Sequence, residues 1–356
     1  MKIGIEAERA NHNKKTGVEH YAKQVIQHLA NIDNQNQYIL YLRTQPENWI
    51  RELPQNFSYK LMPFPYLWTQ VRLSFELLFH PPDVLFIPAS SVPLIHPRRT
   101  VAVIHDLAFW FYPETYSKLR VLAHKFYDYL TLRFASKIIV VSNSTKKDAL
   151  SVYKCDEKKI AVVHHGYEAQ KASTETNLYL PSRYLLFLAT LQPRKNLISL
   201  IHAFRQFKNS HSEDTHKLVV VGKPGWLYEP ILKVIEENKD IVNYLGHVSD
   251  DDRLVILKKA SALALPSFYE GFGMQILEGF DAGIPVITSS TSSMPEVAGG
   301  AALYFDPKDV NSIQTAIEKA LLDPECREDL INKSRHQLAQ FSWDKCAKET
   351  LKIITS

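Results

Sequence analysis

The sequence predicts an α/β protein of two doubly wound domains facing each other across a cleft. Three observations predict it. Apolar strand-like runs alternate with helix-like runs along the chain, the pattern of parallel sheets covered by helices on both faces. The series occurs twice, on either side of a polar, aperiodic stretch from Tyr167 to Ser182 that carries Pro181 near its end and reads as a linker. Finally, 356 residues exceed what one hydrophobic core comfortably serves. The expected domains are residues 1–167, with a last helix near 343–356 returning to them, and residues 168–342.

In the first half the strand-like runs are Lys2–Glu6, Tyr38–Leu42, Asp83–Ile87, Thr100–Ile104, Lys137–Val141 and Ile160–Val163. Helical patterns cover Val18–Ala30 and Ser117–Phe134. In the second half the strands are Tyr184–Ala189, Lys217–Val221, Val242–Leu245, Ala262–Leu265 and Val286–Thr288. Helices fall at Leu197–Lys208, Glu229–Asn238, Asp251–Lys259 and Gln275–Ala282, and everything after Asp309 reads as helical. Ser142 and Ser144 read as caps of a following helix rather than nucleophiles, because no Gly-x-Ser-x-Gly turn surrounds them. In such sheets ligands sit beyond the C-terminal ends of the strands, so the loops there are the candidates for function.

Bulk properties exclude several classes. Three cysteines, Cys155, Cys326 and Cys346, lie far apart without metal-knuckle spacing. The expectation is a reducing cytoplasm and no structural metal. The chain opens directly on a strand-like run, so no signal peptide is expected, and no apolar run reaches membrane-spanning length. A net charge of +4 is an ordinary solvated surface or a mild attraction for phosphate-bearing ligands or anionic membrane. No basic run is dense enough to suggest nucleic acid.

The most informative stretch is Ser267-Phe-Tyr-Glu270-Gly-Phe-Gly273-Met-Gln-Ile-Leu-Glu278-Gly-Phe-Asp-Ala-Gly283-Ile-Pro285-Val. Two carboxylates bracket a glycine loop between a strand and a helix start, where free backbone N–H groups bind oxygen atoms. Arg194 and Lys195 occupy the strand-to-helix junction before Asn196-Leu197. One supplies a planar fork and the other a point charge, a pair suited to an anion with two charged centres.

Pro193-Arg-Lys-Asn-Leu197 together with the Glu270–Glu278 stretch resembles the retaining glycosyltransferases of family 4, which have the two-domain GT-B fold. The resemblance extends over nearly the whole chain through Thr16-Gly-Val-Glu-His-Tyr21, Val103-Ile-His-Asp-Leu107, Val140-Val-Ser-Asn-Ser144, His164-His-Gly166 and Phe341-Ser-Trp343. The His-Asp-Leu version with Pro113 downstream is similar to bacterial mannosyltransferases of surface-polysaccharide synthesis. The resemblance implies a nucleotide-sugar donor, with GDP-mannose preferred and UDP-linked hexoses close behind, and a saccharide or lipid-linked saccharide acceptor. It implies that Glu278 grips the ribose, that Glu270 orients the sugar, and that the amides of Phe272, Gly273 and Met274 bind sugar hydroxyls and phosphate. Arg194 and Lys195 would hold the diphosphate, Gly17 would let the N-domain loop approach it closely, and His105 would stand by the sugar and the attacking hydroxyl.

Chemistry supports the same assignment. Breaking a sugar–phosphate bond builds charge on the leaving diphosphate, and Arg194, Lys195 and helix amides are prearranged donors for it. Two fixed cations remove the need for a divalent metal, so neither metal nor cofactor is expected. Asp250-Asp251-Asp252 after Ser249 resembles an Asp-x-Asp metal motif but reads better as a helix start.

Competing readings stay on the page. Glu270 and Glu278 also fit a hydrolytic pair, although the glycine loop and dication suit a nucleotide better. His105 alone would pass for a structural histidine, and Asp106 beside it favours a site. His164 and His165 read as a hinge junction. Gly222-Lys223-Pro-Gly225 is either an ordinary turn or a donor-site loop in which Lys223 adds a phosphate contact. The aromatic stretches Phe64–Trp68, Val71–Phe79 and Ala108–Tyr112, followed by Lys118, Arg120, Lys125 and Arg133, read as core or as a surface for peripheral membrane contact. The rival activities are a nucleotide-sugar epimerase and a non-catalytic nucleotide-sugar-binding subunit. A dinucleotide oxidoreductase is disfavoured, because no Gly-x-Gly-x-x-Gly follows the first strand.

Overall fold

The computed structural model describes residues 1–12, 17–89, 91–169 and 176–356. Thr16 of the first motif and the middle of the expected linker lie outside them. The chain divides into two compact units. The first holds residues 1–111, 118–166 and 341–356; the second holds 112–117 and 167–340.

The first unit contains strands β1 (Lys2–Glu6), β2 (Gln37–Leu42), β3 (Phe57–Leu61), β4 (Val84–Ile87), β5 (Thr100–Ile104), β6 (Lys137–Val140) and β7 (Ile160–Val162). All pair in parallel, in the order β3-β2-β1-β4-β5-β6-β7. Every residue of β4 and β5 is buried, as befits central parallel strands covered on both faces. Its helices are α1 (Gly17–Ile32), α2 (Asn48–Arg51), α3 (Ser74–Phe79), α4 (Ala108–Phe111), α5 (Lys118–Phe134) and α6 (Asn143–Tyr153). Ser142 caps α6 by accepting the Thr145 N–H at 3.1 Å, whereas Ser144, expected as a cap, lies within the first turn.

The second unit contains β8 (Tyr184–Leu188), β9 (Lys217–Val221), β10 (Val242–Gly246), β11 (Ala262–Leu265), β12 (Val286–Ser289) and β13 (Leu303–Phe305). Their parallel order is β10-β9-β8-β11-β12-β13. The helices are α7 (Leu197–Ser210), α8 (Glu229–Glu237), α9 (Asp250–Lys259), α10 (Met274–Asp281), α11 (Met294–Ala298), α12 (Val310–Leu322) and α13 (Pro324–Leu338). α7 buries Leu200, Phe204 and Phe207 against Leu185, Phe187 and Leu218 in one core. The tail is helical but broken at Asp323, which ends α12 and caps α13 by accepting the Cys326 N–H at 3.0 Å.

The last helix, α14 (Trp343–Thr355), belongs to the first unit. It packs along α1, burying Trp343, Cys346, Ala347 and Ile354, and Asp344 Oδ1 lies 2.7 Å from His28 Nδ1.

Both sheets reverse direction of growth once, between β1 and β4 and between β8 and β11. At such a switch point adjacent connections leave to opposite faces and open a crevice at the strand ends. β3 and β13 are additions to the expected strands. β3 exposes three of its five residues, and β13 has three residues with one exposed, so neither carries a buried-strand pattern.

Candidate active site

In the second unit the crevice between β8 and β11 is where the motif residues meet. The chain leaves β8 through Leu191 and a tight turn at Pro193–Lys195, closed by Asn196 at φ +56. Asparagine tolerates that left-handed conformation better than most residues, and its Nδ2 is tied to the Pro307 carbonyl at 2.8 Å. The chain leaves β11 through Ser267 to Gly273. The two loops are stitched by the Phe268 N–H on the Arg194 carbonyl at 2.9 Å.

Glu270 lies between the two cations. Lys195 Nζ donates to its Oε1 at 2.5 Å and Arg194 Nη1 to its Oε2 at 3.3 Å. Ser267 Oγ adds a bond to Oε1 at 2.6 Å, and Arg194 also donates to the Tyr269 carbonyl. All three charged residues are at most 9% exposed. Burial alone would raise the Glu270 carboxyl, but Lys195 and Arg194 reverse that and hold it at about 2. The group is therefore ionised at neutral pH, so in a hydrolytic pair it would be the ionised partner and not the general acid. Two cations against one carboxylate leave a local excess of positive charge.

Gly273 opens α10 at φ +95, a conformation that favours glycine. The Ile276 N–H turns back to the Gly273 carbonyl at 3.0 Å, whereas the Met274 amide at the helix start has no acceptor within the helix. Phe272 is buried, and its carbonyl accepts Ser293 Oγ at 2.9 Å. Ser292 and Ser293 both donate to the Glu270 carbonyl, and Ser292 Oγ accepts the Glu270 N–H at 3.1 Å. The loop after β12 thus braces the loop after β11.

Glu278 lies one turn further along α10 and is not free carboxylate surface. Its Oε1 takes Arg253 Nη1 of α9 at 2.8 Å. Next to it, Asp281 Oδ2 accepts the Tyr167 hydroxyl at 3.0 Å. Lys223 follows β9 on an exposed loop. That loop is tied to the β8 exit by the Leu191 N–H on the Lys223 carbonyl and the Gly225 N–H on the Leu191 carbonyl, each at 3.0 Å. A Cβ on Gly222 would fall 1.9 Å from the Ala189 carbonyl oxygen, which is why the two loops run this close.

The Asp250–Asp252 triplet is a helix start. Ser249 Oγ accepts the Asp252 N–H at 3.1 Å, and Thr176 Oγ1 donates to Asp252 Oδ1 at 2.5 Å. Among the described residues no group of three or more His, Cys, Asp or Glu is placed to hold a metal.

The remaining two expected residues, His105 and Gly17, lie in the first unit. His105 follows β5, and its Nε2 lies 2.8 Å from the Pro88 carbonyl at the end of β4. That acceptor assigns the proton to Nε2 and leaves a lone pair on Nδ1, which is buried and unpartnered. Burial lowers its pKa, only partly offset by the Pro88 carbonyl and Asp106, so the ring is neutral. Tyr21 of α1 meets it edge-on at 4.8 Å. Gly17 begins α1 with open space where a Cβ would point.

His165 is embedded in the same unit between Tyr21, 4.7 Å away, and Trp343, 6.1 Å away. A Cβ on Gly166 would sit 2.2 Å from the Trp343 backbone nitrogen. The His164-His-Gly166 and Phe341-Ser-Trp343 motifs therefore serve one junction, where the returning chain needs a residue without a side chain.

Sequence reasoning gave no role to Arg253, Ser292 and Ser293, nor to Ser267 at the head of the motif stretch. Only the first left a signal, a lone cation directly after three acids.

Comparison with known proteins addresses the chain's family and fold. Residues 168–337 match the family described as Glycosyl transferases group 1, and residues 15–171 match Glycosyltransferase Family 4. The chain is 29% identical over 265 residues to O-antigen chain mannosyltransferase B of Escherichia coli, an alignment covering 71% of this chain and 69% of that protein. It is 30% identical over 284 residues to the serotype-specific mannosyltransferase WbdA of Escherichia coli, covering 73% of this chain but 33% of WbdA. The chain thus spans about a third of the length of that relative. The crystal structure of Anabaena HepE, in complex with UDP and glucose, superposes with a TM-score of 0.73 at 18% identity, covering 100% of this chain and 99% of that one.

Proposed function

The chain belongs to glycosyltransferase family 4, with the two Rossmann-like domains of the GT-B fold, and from that premise we propose that it moves a mannosyl group from GDP-mannose. The acceptor in this reading is a hydroxyl of a saccharide or lipid-linked saccharide, and the anomeric configuration is retained. The observation that carries the proposal is the buried Arg194–Glu270–Lys195 group at the switch point of the second sheet.

The two cations stand ready for a diphosphate. As the sugar–phosphate bond breaks, charge gathers on the leaving oxygens. Each charge-assisted hydrogen bond from Arg194 or Lys195 then contributes about 1.5–3 kcal/mol. Because these donors are already oriented, little reorganisation is needed when the charge develops. Glu270 keeps the cations apart and properly aimed, and its own oxygens are available to a sugar hydroxyl. Glu278, steadied by Arg253, grips the ribose. The α10 amides at Gly273 and Met274 meet phosphate or sugar oxygens, and Lys223 adds a contact at the rim. In the first unit the neutral His105 stands by the sugar and the attacking hydroxyl, and Gly17 leaves room at the start of α1. Two fixed cations supply the charge that a divalent ion supplies elsewhere, so the reaction proceeds without metal. The mannose preference is supported by the names of the two Escherichia coli relatives.

The test is transfer from GDP-mannose, and from UDP-linked hexoses in parallel, to a mannosylated acceptor, with the anomer of the product read by NMR and the assay repeated in chelator. Retained transfer from GDP-mannose in chelator is the expected result. Lys195→Ala should lower the rate roughly a hundredfold or more. Near-wild-type transfer by that variant would sink the diphosphate assignment.

A further inference from the structure

Basic charge is concentrated in one part of the chain. Residues 118–159 hold ten lysines and arginines against four aspartates and glutamates, a net of +6, whereas the whole chain carries +4. Everything else is therefore net −2. The basic stretch forms α5, β6, α6 and the approach to β7 in the first unit.

Within it, α5 is built the wrong way round for a helix covering a sheet. Leu119, Leu122, Phe126 and Tyr129 are 81, 67, 54 and 53% exposed. Their spacing of three, four and three residues places them on one helix face. A surface helix ordinarily turns such a stripe to the core. At its C-terminal end the stripe runs into an open cavity of about 230 Å³. Tyr129, Arg133, Tyr153, Lys154, Asp156 and Lys159 contribute to its wall. The Asp156 carboxylate is already accepting the Lys158 N–H at 3.0 Å, so the cavity offers three cations. Lys154 ends α6 at φ +46, a conformation that costs a non-glycine residue of order 1 kcal/mol or more. A position that favours glycine carries a cation here.

A second apolar group adjoins the first. Val71, Phe75, Leu78 and Phe79, around α3, and Leu94 and Ile95 in the next loop are all exposed. That loop is tied to α3 by the Ile95 N–H on Ser74 Oγ at 3.2 Å, and to α5 by the Val92 N–H on Thr131 Oγ1 at 3.3 Å. The ring of His96 lies 6.5 Å from that of Phe134. Hence α3, the loop and α5 are parts of one connected surface of the first unit, larger than the scattered apolar exposure that needs no explanation.

We propose that this surface docks on an anionic lipid bilayer, with Arg133, Lys154 and Lys159 receiving a phospholipid phosphate while the α5 stripe and Leu94–Ile95 enter the headgroup layer. The charge decides the occupant. A second copy would bring the same +6 surface against itself, whereas a bilayer of negative headgroups complements both the cations and the apolar stripe. No helix among the described residues is long and apolar enough to cross a membrane, so the attachment is peripheral. It is independent of the donor chemistry proposed above.

The test uses the full chain and sedimentation with two sets of vesicles, phosphatidylcholine alone and phosphatidylcholine mixed with phosphatidylglycerol. Binding to the anionic set should be at least roughly tenfold tighter and should weaken in high salt. Arg133→Glu with Lys154→Glu and Lys159→Glu should abolish that preference. Leu122→Ser with Phe126→Ser, both at exposed positions, should weaken binding to the anionic vesicles. Both variants should keep the wild-type transfer rate on a water-soluble acceptor, which shows that they fold. Equal binding to both vesicle sets would overturn the proposal. So would variants that sediment like wild type, a wild-type dimer dissolved by Phe126→Ser, or binding only to neutral vesicles doped with an isoprenyl diphosphate.

Discussion

Lys195 Nζ and Glu270 Oε1 stand 2.5 Å apart at a site where neither residue is more than 8% exposed. Removing two charges from water is costly, and the pair persists because the geometry is good and Arg194 and Ser267 complete the coordination of the carboxylate. Its consequence is chemical as well as structural. An acid held this far below its ordinary range orients other groups and does not shuttle protons, so the loop after β11 works as a rigid receptor. Under the function proposed above, sugar and diphosphate recognition would be coupled through one carboxylate, because whatever displaces Glu270 also re-aims both cations.

Glu270 makes stability depend on acid. Its folded pKa is about 2 against an ordinary 4.5. A depressed carboxylate stabilises the fold fully above the unfolded value, and that contribution is lost as pH falls through the folded one. The shift corresponds to about 3 kcal/mol. Glu270→Gln should therefore be less stable by about that much at neutral pH in urea unfolding. The gap to wild type should narrow by about 2 kcal/mol between roughly pH 5 and pH 3. A gap that stays constant over that range would show that Glu270 is not held ionised by the two cations.

Arg253 and Glu278 test the nucleotide end of the site. If Arg253 fixes one oxygen of Glu278 so that the other faces the ribose, Arg253→Ala weakens ground-state and transition-state binding of the donor alike. The expected pattern is a rise of about tenfold in KM for the donor with kcat nearly unchanged. Arg253→Lys should recover only part of the loss, because an ammonium lacks the planar fork. Steady-state kinetics with the donor varied and the acceptor saturating would separate the cases; an unchanged donor KM would detach Glu278 from the ribose.

These relationships were unequally legible in the sequence. Central strands such as β5 and β8 announce themselves because both faces are buried and the run is continuously apolar. β3 and β13 do not, being short or largely exposed. The two halves of the candidate site were each readable because their members adjoin in sequence, Arg194 beside Lys195 in one and Glu270, Gly271, Gly273 and Glu278 in the other. Arg253 was not, since its partner lies 25 positions away and only the packing of α9 beside α10 brings them together. Ser292 and Ser293 brace Glu270 from 22 and 23 positions away, and serine is too common in loops for its position to signal a role. His164-His-Gly166 was visible as a junction, but the reason for its glycine, the Trp343 backbone, enters from the far end of the chain.

That junction carries the last prediction. His165 is enclosed by Tyr21, His105 and Trp343. Burial, reinforced by the neighbouring His105, His20 and His164, pushes its pKa well below the ordinary 6.5. The sign follows from proton counting. Above about 6.5 neither the folded nor the unfolded chain protonates this residue, and it costs nothing. Below that, the unfolded chain takes up a proton that the folded one refuses, so stability falls as the solution becomes more acid, by up to about 1.4 kcal/mol per pH unit for one such group. His105 is lowered in the same direction and adds to the slope. His165→Gln removes one proton from this balance and keeps a polar side chain of similar size. Urea midpoints at pH 7 and pH 5 should therefore differ less in the variant than in wild type, with the Gly166–Trp343 contact intact in both. If the two proteins lose stability in parallel over that interval, His165 is protonated in the fold and the aromatic enclosure does not exclude its charge.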